Sequence, residues 1–206
     1  MAGGDNLCSS CREIAGALDA DETPALLEAA PAAYRTEIND ILLAALARTL
    51  ADWTGEARSL VDLESHGRLP LFDDVDLSRT VGWFTAKHPV SLALGGLSWS
   101  QVVAGEATLG ALIKDAKEQL RALPDPLSYG LLRYLNDDVD LDGADPTIGF
   151  NYLGRLGAAV QASGDLWWIG PEGMSRTDAA AAVPMALAHT LELNAVTVDA
   201  DTGPEL

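Results

Sequence analysis

Two segments of the chain carry apolar residues at every third or fourth position, and this spacing predicts two amphipathic helices. The first occupies residues 36–54, with Thr36 as a candidate N-cap and Gly55 just beyond its end. The second runs from about residue 107 to residue 123, where Pro124 ends it. The apolar side of each helix is expected to pack against a hydrophobic core.

Two shorter helical pieces are also predicted. One covers residues 21–27 and is interrupted at Pro31, and the other covers residues 130–135. The alanine-rich segment 178–184 shows neither a helical nor a strand period and receives no assignment.

Alternating patterns predict the strands. In residues 60–64, aliphatic and acidic side chains alternate, so a strand there would send Asp62 and Glu64 to one face and the aliphatic residues to the other. The other strand-like segments, with the tripeptide 87–89 between the first two, are residues 81–84, 90–94, 148–153 and 191–198. The irregular order of helices and strands predicts an α/β domain with a mixed β-sheet packed with helices.

Composition narrows the classes of function. A chain of 206 residues that is 48% hydrophobic can bury one sizeable core. Its 31 acidic and 13 basic side chains give a formal net charge of -18, which repels phosphate backbones and anionic lipid, so neither nucleic acid nor a membrane is an expected partner. No apolar run of about eighteen residues and no secretion signal occurs, which predicts a cytoplasmic protein.

Two short motifs resemble parts of metal sites. Residues 138–143 match the first half of a calcium loop, but its last ligand position falls on Gly149, where a bidentate glutamate is required. Cys8 and Cys11 form a C-x-x-C pair without further zinc ligands nearby, so reduced thiols are expected. Neither a phosphate-binding glycine loop nor a serine-hydrolase elbow occurs, and no metal or directly bound cofactor is predicted.

The best candidate for acid/base chemistry is Glu64 with His66 two residues later. Gly67 follows and permits a sharp turn with close approach of a ligand to the backbone. A carboxylate at a strand end can take and return a proton. The same residues are compatible with a structural ion pair between Glu64 and Arg68 or Arg79, and the residues by themselves leave both interpretations open.

Five segments resemble, in the same order, the motifs of the epimerization domains of nonribosomal peptide synthetases, within the condensation-domain superfamily. They are residues 34–43, 63–68, 76–85, 128–135 and 150–155. Residues 63–68, LESHGR, are similar to the family's E-G-H-G-R motif, and residues 76–85, DLSRTVGWFT, are similar to its R-T-V-G-W-F-T motif. Ser65 stands where the family has glycine, and His88 where it has tyrosine.

The resemblance implies a chloramphenicol-acetyltransferase-like lobe over residues 17–206, preceded by a flexible leader at residues 1–16. In the family, two such lobes enclose a channel, and the amino-terminal lobe carries an H-H-x-x-x-D-G motif. No adjacent histidine pair occurs in these 206 residues. We therefore expect a carboxy-terminal lobe, natural or cut from a longer synthetase, whose amino-terminal partner lobe belongs to another stretch of polypeptide.

The resemblance also implies a reaction, the inversion from L to D of the Cα of an aminoacyl or peptidyl thioester. The 4'-phosphopantetheine arm of a peptidyl carrier protein brings this thioester into the channel. By position, Glu64 matches the family's acid/base glutamate, and His66, Asn151 and Tyr152 are expected to line the channel. Without the amino-terminal lobe the chain is expected to be inactive or nearly so.

Two alternatives stay open. The chain could be a non-catalytic module that docks a carrier protein or a neighbouring synthetase domain. It could also be a complete small transferase that uses Glu64 and His66 together. An H-H-x-x-x-D-G lobe encoded upstream would favour the epimerase over the docking module.

Overall fold

The computed structural model describes residues 7–94, 96–141, 143–156, 185–200 and 202–206. The helices are α1 (Ala30–Tyr34), α2 (Ile38–Thr54), α3 (Trp99–Val103), α4 (Ala107–Arg121) and α5 (Pro126–Leu135). The strands are β1 (Arg58–Ser65), β2 (Ala86–Ala93), β3 (Ile148–Leu156), β4 (Leu191–Ala200) and β5 (Gly203–Glu205). None of the helices in these ranges is both long and apolar enough to cross a membrane.

The strands form one mixed five-stranded sheet in the order β2-β1-β3-β4-β5. The pairs β1/β2 and β4/β5 are antiparallel, whereas β1/β3 and β3/β4 are parallel. The predicted fold class, a mixed sheet packed with helices, is therefore confirmed.

Helices α2 and α4 cover one face of the sheet. Val61 of β1 and Val90 of β2 point to this face and are fully buried, as is Phe150 of β3. Burial of each large aliphatic side chain contributes about 1.5–3 kcal/mol. The buried cluster consists of Leu43, Ala44, Ala47, Leu50, Val61, Val90, Leu92, Leu94, Leu97, Leu112, Ala116 and Phe150.

Both long amphipathic helices are confirmed. Helix α2 has Glu37 as its N-cap, one residue after the predicted Thr36, because Asp40 accepts a hydrogen bond from the Glu37 amide and completes a capping box. Helix α4 has the predicted start and ends at Arg121, two residues before the predicted end.

Two predictions near prolines are wrong. The tripeptide 87–89 is part of β2 and does not separate two strands, because β2 is an edge strand and tolerates the missing amide of Pro89. Pro31 does not interrupt a helix. It lies in the first turn of α1, which continues the π-helical segment Ala25–Ala29, and there an amide donor is not required.

Other differences concern short segments. Residues 81–84 form no strand and belong to the loop between β1 and β2. Helix α3 and strand β5 were not predicted. The alanine-rich segment 178–184 and residues 1–6 of the predicted leader lie outside the described residues.

Candidate functional site

One face of the sheet carries both acidic residues of strand β1. Because strand residues alternate, Asp62 and Glu64 share the face opposite to the helices. Strand β3 runs parallel to β1 with Gly149 beside Asp62, so Asn151 shares this face too. On β2, Lys87 lies directly opposite Glu64. We call the sheet face that carries these residues the Glu64 face.

Asp62 is the buried centre of a polar cluster on the Glu64 face. Its side chain is 5% exposed, and its Oδ2 lies 2.9 Å from Lys87 Nζ. The same oxygen lies 3.1 Å from His189 Nε2. Burial by itself lowers the pKa of Lys87, but the hydrogen bond to Asp62 and the charges of Asp62 and Glu64 outweigh it, so the pKa of the ammonium is raised.

His189 reaches Asp62 across strand β3. Its imidazole lies on Gly149, where an added Cβ would come within 2.5 Å of Nδ1, so only glycine leaves room for the ring. A carboxylate accepts hydrogen bonds, so Nε2 carries the proton of the contact with Asp62. Nδ1 lies 3.7 Å from Glu192 Oε2, which is beyond hydrogen-bonding distance.

Glu64 is half-buried near the end of β1. Within the described ranges, its carboxylate has neither a hydrogen bond nor an ion pair, and no pair joins it to Arg68 or Arg79. Arg68 instead donates to the carbonyl oxygens of Leu77, at 2.6 Å, and Gly82, at 3.4 Å. Its guanidinium also lies 4.3 Å from the centre of the Phe84 ring. We call the Glu64 carboxylate uncommitted because it has no hydrogen bond or ion pair among the described residues.

His66 lies just after β1 and is exposed. Its Nδ1 accepts a hydrogen bond of 3.0 Å from the Arg68 amide, which turns the chain back on itself. Gly67 between them has φ +63, and an added Cβ would lie 1.6 Å from the Phe84 carbonyl oxygen. The glycine is thus required both for the left-handed backbone and for close packing of the β1–β2 loop.

Tyr152 points away from Glu64. It follows Asn151 in β3 and therefore lies on the helix-covered face, where its hydroxyl is 2.9 Å from Thr197 Oγ1. The sheet thus brings Asn151 and Glu64 to the same face and leaves Tyr152 on the other. The predicted role of both residues as channel-lining groups stays a prediction.

A cleft of about 290 Å³ opens on the helix-covered side of β1 and β2. Its lining includes His88, which is buried and whose Nδ1 has no hydrogen-bond partner in the described part of the chain. Burial lowers the pKa of His88, against the smaller opposing effects of Asp62 and Asp125. The remaining lining residues are Glu37, Asn39, Asp40, Leu43, Leu63, Ser65, Leu120, Leu123, Pro124, Asp125 and Pro126.

Three members of the polar cluster were not predicted as site residues: Asp62, Lys87 and His189. The alternating pattern of β1, which puts Asp62 on the same face as Glu64, was the one sequence feature that could have identified Asp62 as a site residue. Lys87 becomes a neighbour through the register of β1 and β2, and His189 is 127 residues away from Asp62. Among the described residues, no group of His, Cys, Asp and Glu is arranged to hold a metal ion.

The sequence of this chain is similar to a protein family and to parts of known synthetases. Residues 10–170 match the Condensation domain family. The chain is 43% identical to bacitracin synthase 2 of Bacillus licheniformis over 158 residues, which are 76% of this chain and 6% of that synthase. It is 43% identical to surfactin synthase subunit 2 of Bacillus subtilis (strain 168) over 145 residues, which are 70% of this chain and 4% of that protein. The chain therefore spans only a small part of the length of these relatives.

Solved structures share the fold. The epimerization domain from the third module of tyrocidine synthetase B is similar with a TM-score of 0.68 and 25% identity, over 99% of this chain and 43% of that chain. The condensation domain from Monacolin K polyketide synthase has a TM-score of 0.52 at 15% identity, over 92% of this chain and 40% of that chain. The chain thus spans less than half of these structures, and it belongs to the condensation domain family.

Proposed function

We propose that this chain is the carboxy-terminal lobe of an epimerization domain and that Glu64 is its acid/base group. The observation that carries the proposal is the uncommitted carboxylate of Glu64, half-buried at a strand end in the segment that resembles the E-G-H-G-R motif. The similarity to the epimerization domain of tyrocidine synthetase B supports the same assignment.

The chemistry requires a proton to leave one face of Cα and another to arrive on the opposite face. A thioester acidifies its α-hydrogen, so the Glu64 carboxylate can remove this proton while the electron pair moves to the thioester oxygen as an enolate. A donor on the other side of Cα then returns a proton. In this proposal that donor belongs to an amino-terminal lobe, and Asn151 lies on the face where its amide can contact the thioester or enolate.

In this proposal the lobe begins near residue 17. The Leu18 amide donates to the Leu206 carbonyl at 2.7 Å, and the Leu206 amide donates back at 3.2 Å. These two bonds join the two ends of residues 17–206 and support that boundary. In the same proposal, a peptidyl carrier protein delivers the substrate on its 4'-phosphopantetheine arm, and no other cofactor is bound.

A second candidate function is docking without catalysis. The β1–β2 loop exposes Val81 and Trp83 almost completely, at 98% and 93%, and Leu135 at the end of α5 is 79% exposed. Exposed large apolar side chains of this kind are typical of surfaces that bind another protein. They fit an amino-terminal lobe, a carrier protein or a neighbouring synthetase domain.

The test uses an aminoacyl carrier protein and this chain, with and without a separately expressed amino-terminal lobe. Chiral analysis of the released amino acid then measures the L/D ratio. We expect inversion only when both lobes are present, and a loss of about 10² to 10⁴ in rate for Glu64→Gln.

The matched control is Glu56→Gln, which neutralises an exposed glutamate outside the Glu64 face. It should leave the inversion rate of the two-lobed pair unchanged. Equal rates for Glu64→Gln and the unaltered pair would contradict the catalytic role of Glu64. Inversion by this chain alone would contradict the requirement for a second lobe, and docking without inversion by the pair would favour the second candidate.

A further inference from the structure

Glu64 has a lysine opposite to it that does not pair with it. The register of β1 and β2 aligns Glu64 with Lys87, and oppositely charged residues in such cross-strand positions attract one another. The Lys87 ammonium nevertheless bonds to Asp62, which is diagonal to it, at 2.9 Å. In the part of the chain that the structure describes, Glu64 remains without an ion pair.

Lys87 pairs with Asp62 because the Asp62 carboxylate is buried and because His189 fixes its orientation. The Asp62 side chain is 5% exposed, whereas Glu64 is half-buried, so the attraction to the ammonium is less screened at Asp62. His189, whose side chain is 6% exposed, contacts the same Oδ2 and fixes the direction of the carboxylate. The ring of His189 is in turn supported by Gly149.

The charged and titratable groups around Lys87 come from three sides. Asp62 and Glu64 act on it from β1, and Tyr134 acts on it from α5. His189 approaches across β3 and places its imidazole on the far side of Asp62, away from Lys87. Of the two carboxylates within reach of the ammonium, Asp62 alone forms the ion pair.

We propose that Asp62 and His189 are positioning residues that hold the Lys87 ammonium away from Glu64 and so keep the Glu64 carboxylate free to accept the α-proton of the substrate. This inference rests on the proposed function of Glu64. A carboxylate engaged by an ammonium group is a weaker base, and the ammonium also occupies the space from which a proton arrives. The direction of one lysine side chain thus decides whether the base is available.

Substitutions at Asp62 and Lys87 in the two-lobed pair should differ in their effect on the availability of the Glu64 carboxylate. Asp62→Asn keeps the shape of the side chain but removes its charge, so Lys87 should move to the remaining carboxylate, Glu64. We expect the rate of α-hydrogen exchange in D₂O to fall about tenfold, because the base is then engaged in an ion pair. Lys87→Met alone should reduce the exchange rate less than Asp62→Asn does, since it leaves no ammonium that could pair with Glu64.

The double variant Asp62→Asn with Lys87→Met should recover most of the lost rate, because no ammonium is left to occupy Glu64. A purely structural role of Asp62 would not be restored by a second substitution. A loss for Lys87→Met as large as that for Asp62→Asn would overturn the proposal, and so would a double variant as slow as Asp62→Asn. If Glu64→Gln is fully active, the proposed function fails. If Glu64→Gln is slow but Asp62→Asn is as fast as the unaltered pair, only the present inference fails.

A structural measurement on this chain alone is independent of activity. Thermal unfolding first checks that Asp62→Asn folds, and a crystal structure of the variant then gives the distance from Lys87 Nζ to the Glu64 carboxylate. We expect about 4 Å or less, the range of an ion pair. A Lys87 ammonium that stays beside position 62 would overturn the proposal. If Asp62→Asn does not fold, Asp62→Ser, which also removes the charge, provides the same comparison with and without Lys87→Met.

Discussion

His88 is a buried imidazole in strand β2, on the helix-covered face of the sheet. Burial disfavours its protonated form and lowers its pKa, while the charges of Asp62 and Asp125 oppose this effect only in part. The unfolded chain therefore binds a proton more readily than the folded protein as the pH falls below the usual histidine value of 6.5. Where the unfolded state binds more protons, the free energy of unfolding decreases with falling pH.

We therefore predict that His88→Gln reduces the loss of stability on acidification. The contribution of His88 is present at high pH and is lost as the pH falls through the unfolded pKa towards the lower folded pKa. Urea unfolding at about pH 7.5 and about pH 5.5 measures the difference for both proteins. The free energy of unfolding should drop less in the variant, and equal drops in the two proteins would contradict the prediction.

The sequence predicts which face of the sheet Glu64 and Asp62 share, but not which residues they contact. Their spacing of two in a strand placed both on one face, and the structure confirms it. The same spacing could not show that Asp62 is buried with two partners while Glu64 has none among the described residues, because the partners of Asp62 belong to β2 and to the segment before β4. The packing of three chain segments was therefore required to show that, among the described residues, Glu64 forms no ion pair, and its acid/base role stays a prediction.

The side chain of Arg68, near the start of the β1–β2 loop, contacts several later parts of that loop. Arg68 donates to the carbonyl oxygens of Leu77 and Gly82 and lies on the Phe84 ring, so it joins the start, middle and end of the segment. These contacts explain why residues 81–84 do not pair as a strand although their composition is typical of one. A local preference of about 1 kcal/mol is outweighed by such a set of contacts.

We predict that Arg68→Ala loosens this loop. Two hydrogen bonds and one cation–π contact are lost, so the free energy of unfolding should fall by about 1–3 kcal/mol. Amide hydrogen exchange in residues 71–84 should accelerate by more than exchange in α2. The control is Arg79→Ala, which removes an exposed arginine from the same loop and should change stability by no more than about 0.5 kcal/mol. Similar effects of the two substitutions would contradict the role of Arg68.

The long helices and the central strands could be predicted because their periods are local. Helix α2 and strands β1 and β4 lie within a few residues of the predicted bounds. Strand β2 was predicted too short, because Pro89 argues against a strand unless the strand lies at an edge. That position follows from the order β2-β1-β3-β4-β5, which no local pattern contains.

The charge of the chain acts on the fold as a unit. A formal net charge of -18 on 206 residues means that the compact state brings many carboxylates close together, and their mutual repulsion opposes folding. Salt screens this repulsion over a distance of about 10 Å at 0.1 M. The ion pairs that cross the sheet among the described residues, such as that of Arg155 with Asp199, do not compensate an excess of this size.

We predict that salt stabilises the protein. Raising NaCl from about 0.02 M to about 0.5 M at neutral pH should raise Tm by several degrees, as measured by circular dichroism. At about pH 4, where many carboxylates are protonated, the same change in salt should raise Tm by much less. An equal rise at both pH values would show that the effect does not arise from charge repulsion.

The amino-acid sequence by itself determined the two long helices, strands β1, β3 and β4 and the acidic face of β1, and it carries the resemblance to epimerization domains. Each depends on residues a few positions apart, whose spacing decides which side chains share a face. The register that sets Lys87 opposite Glu64, the contact of Asp62 with His189, and the position of Asn151 on the face of Glu64 became visible with the folded chain. These features join residues far apart in the sequence, and the packing of the sheet as a unit selects them among many possible pairings.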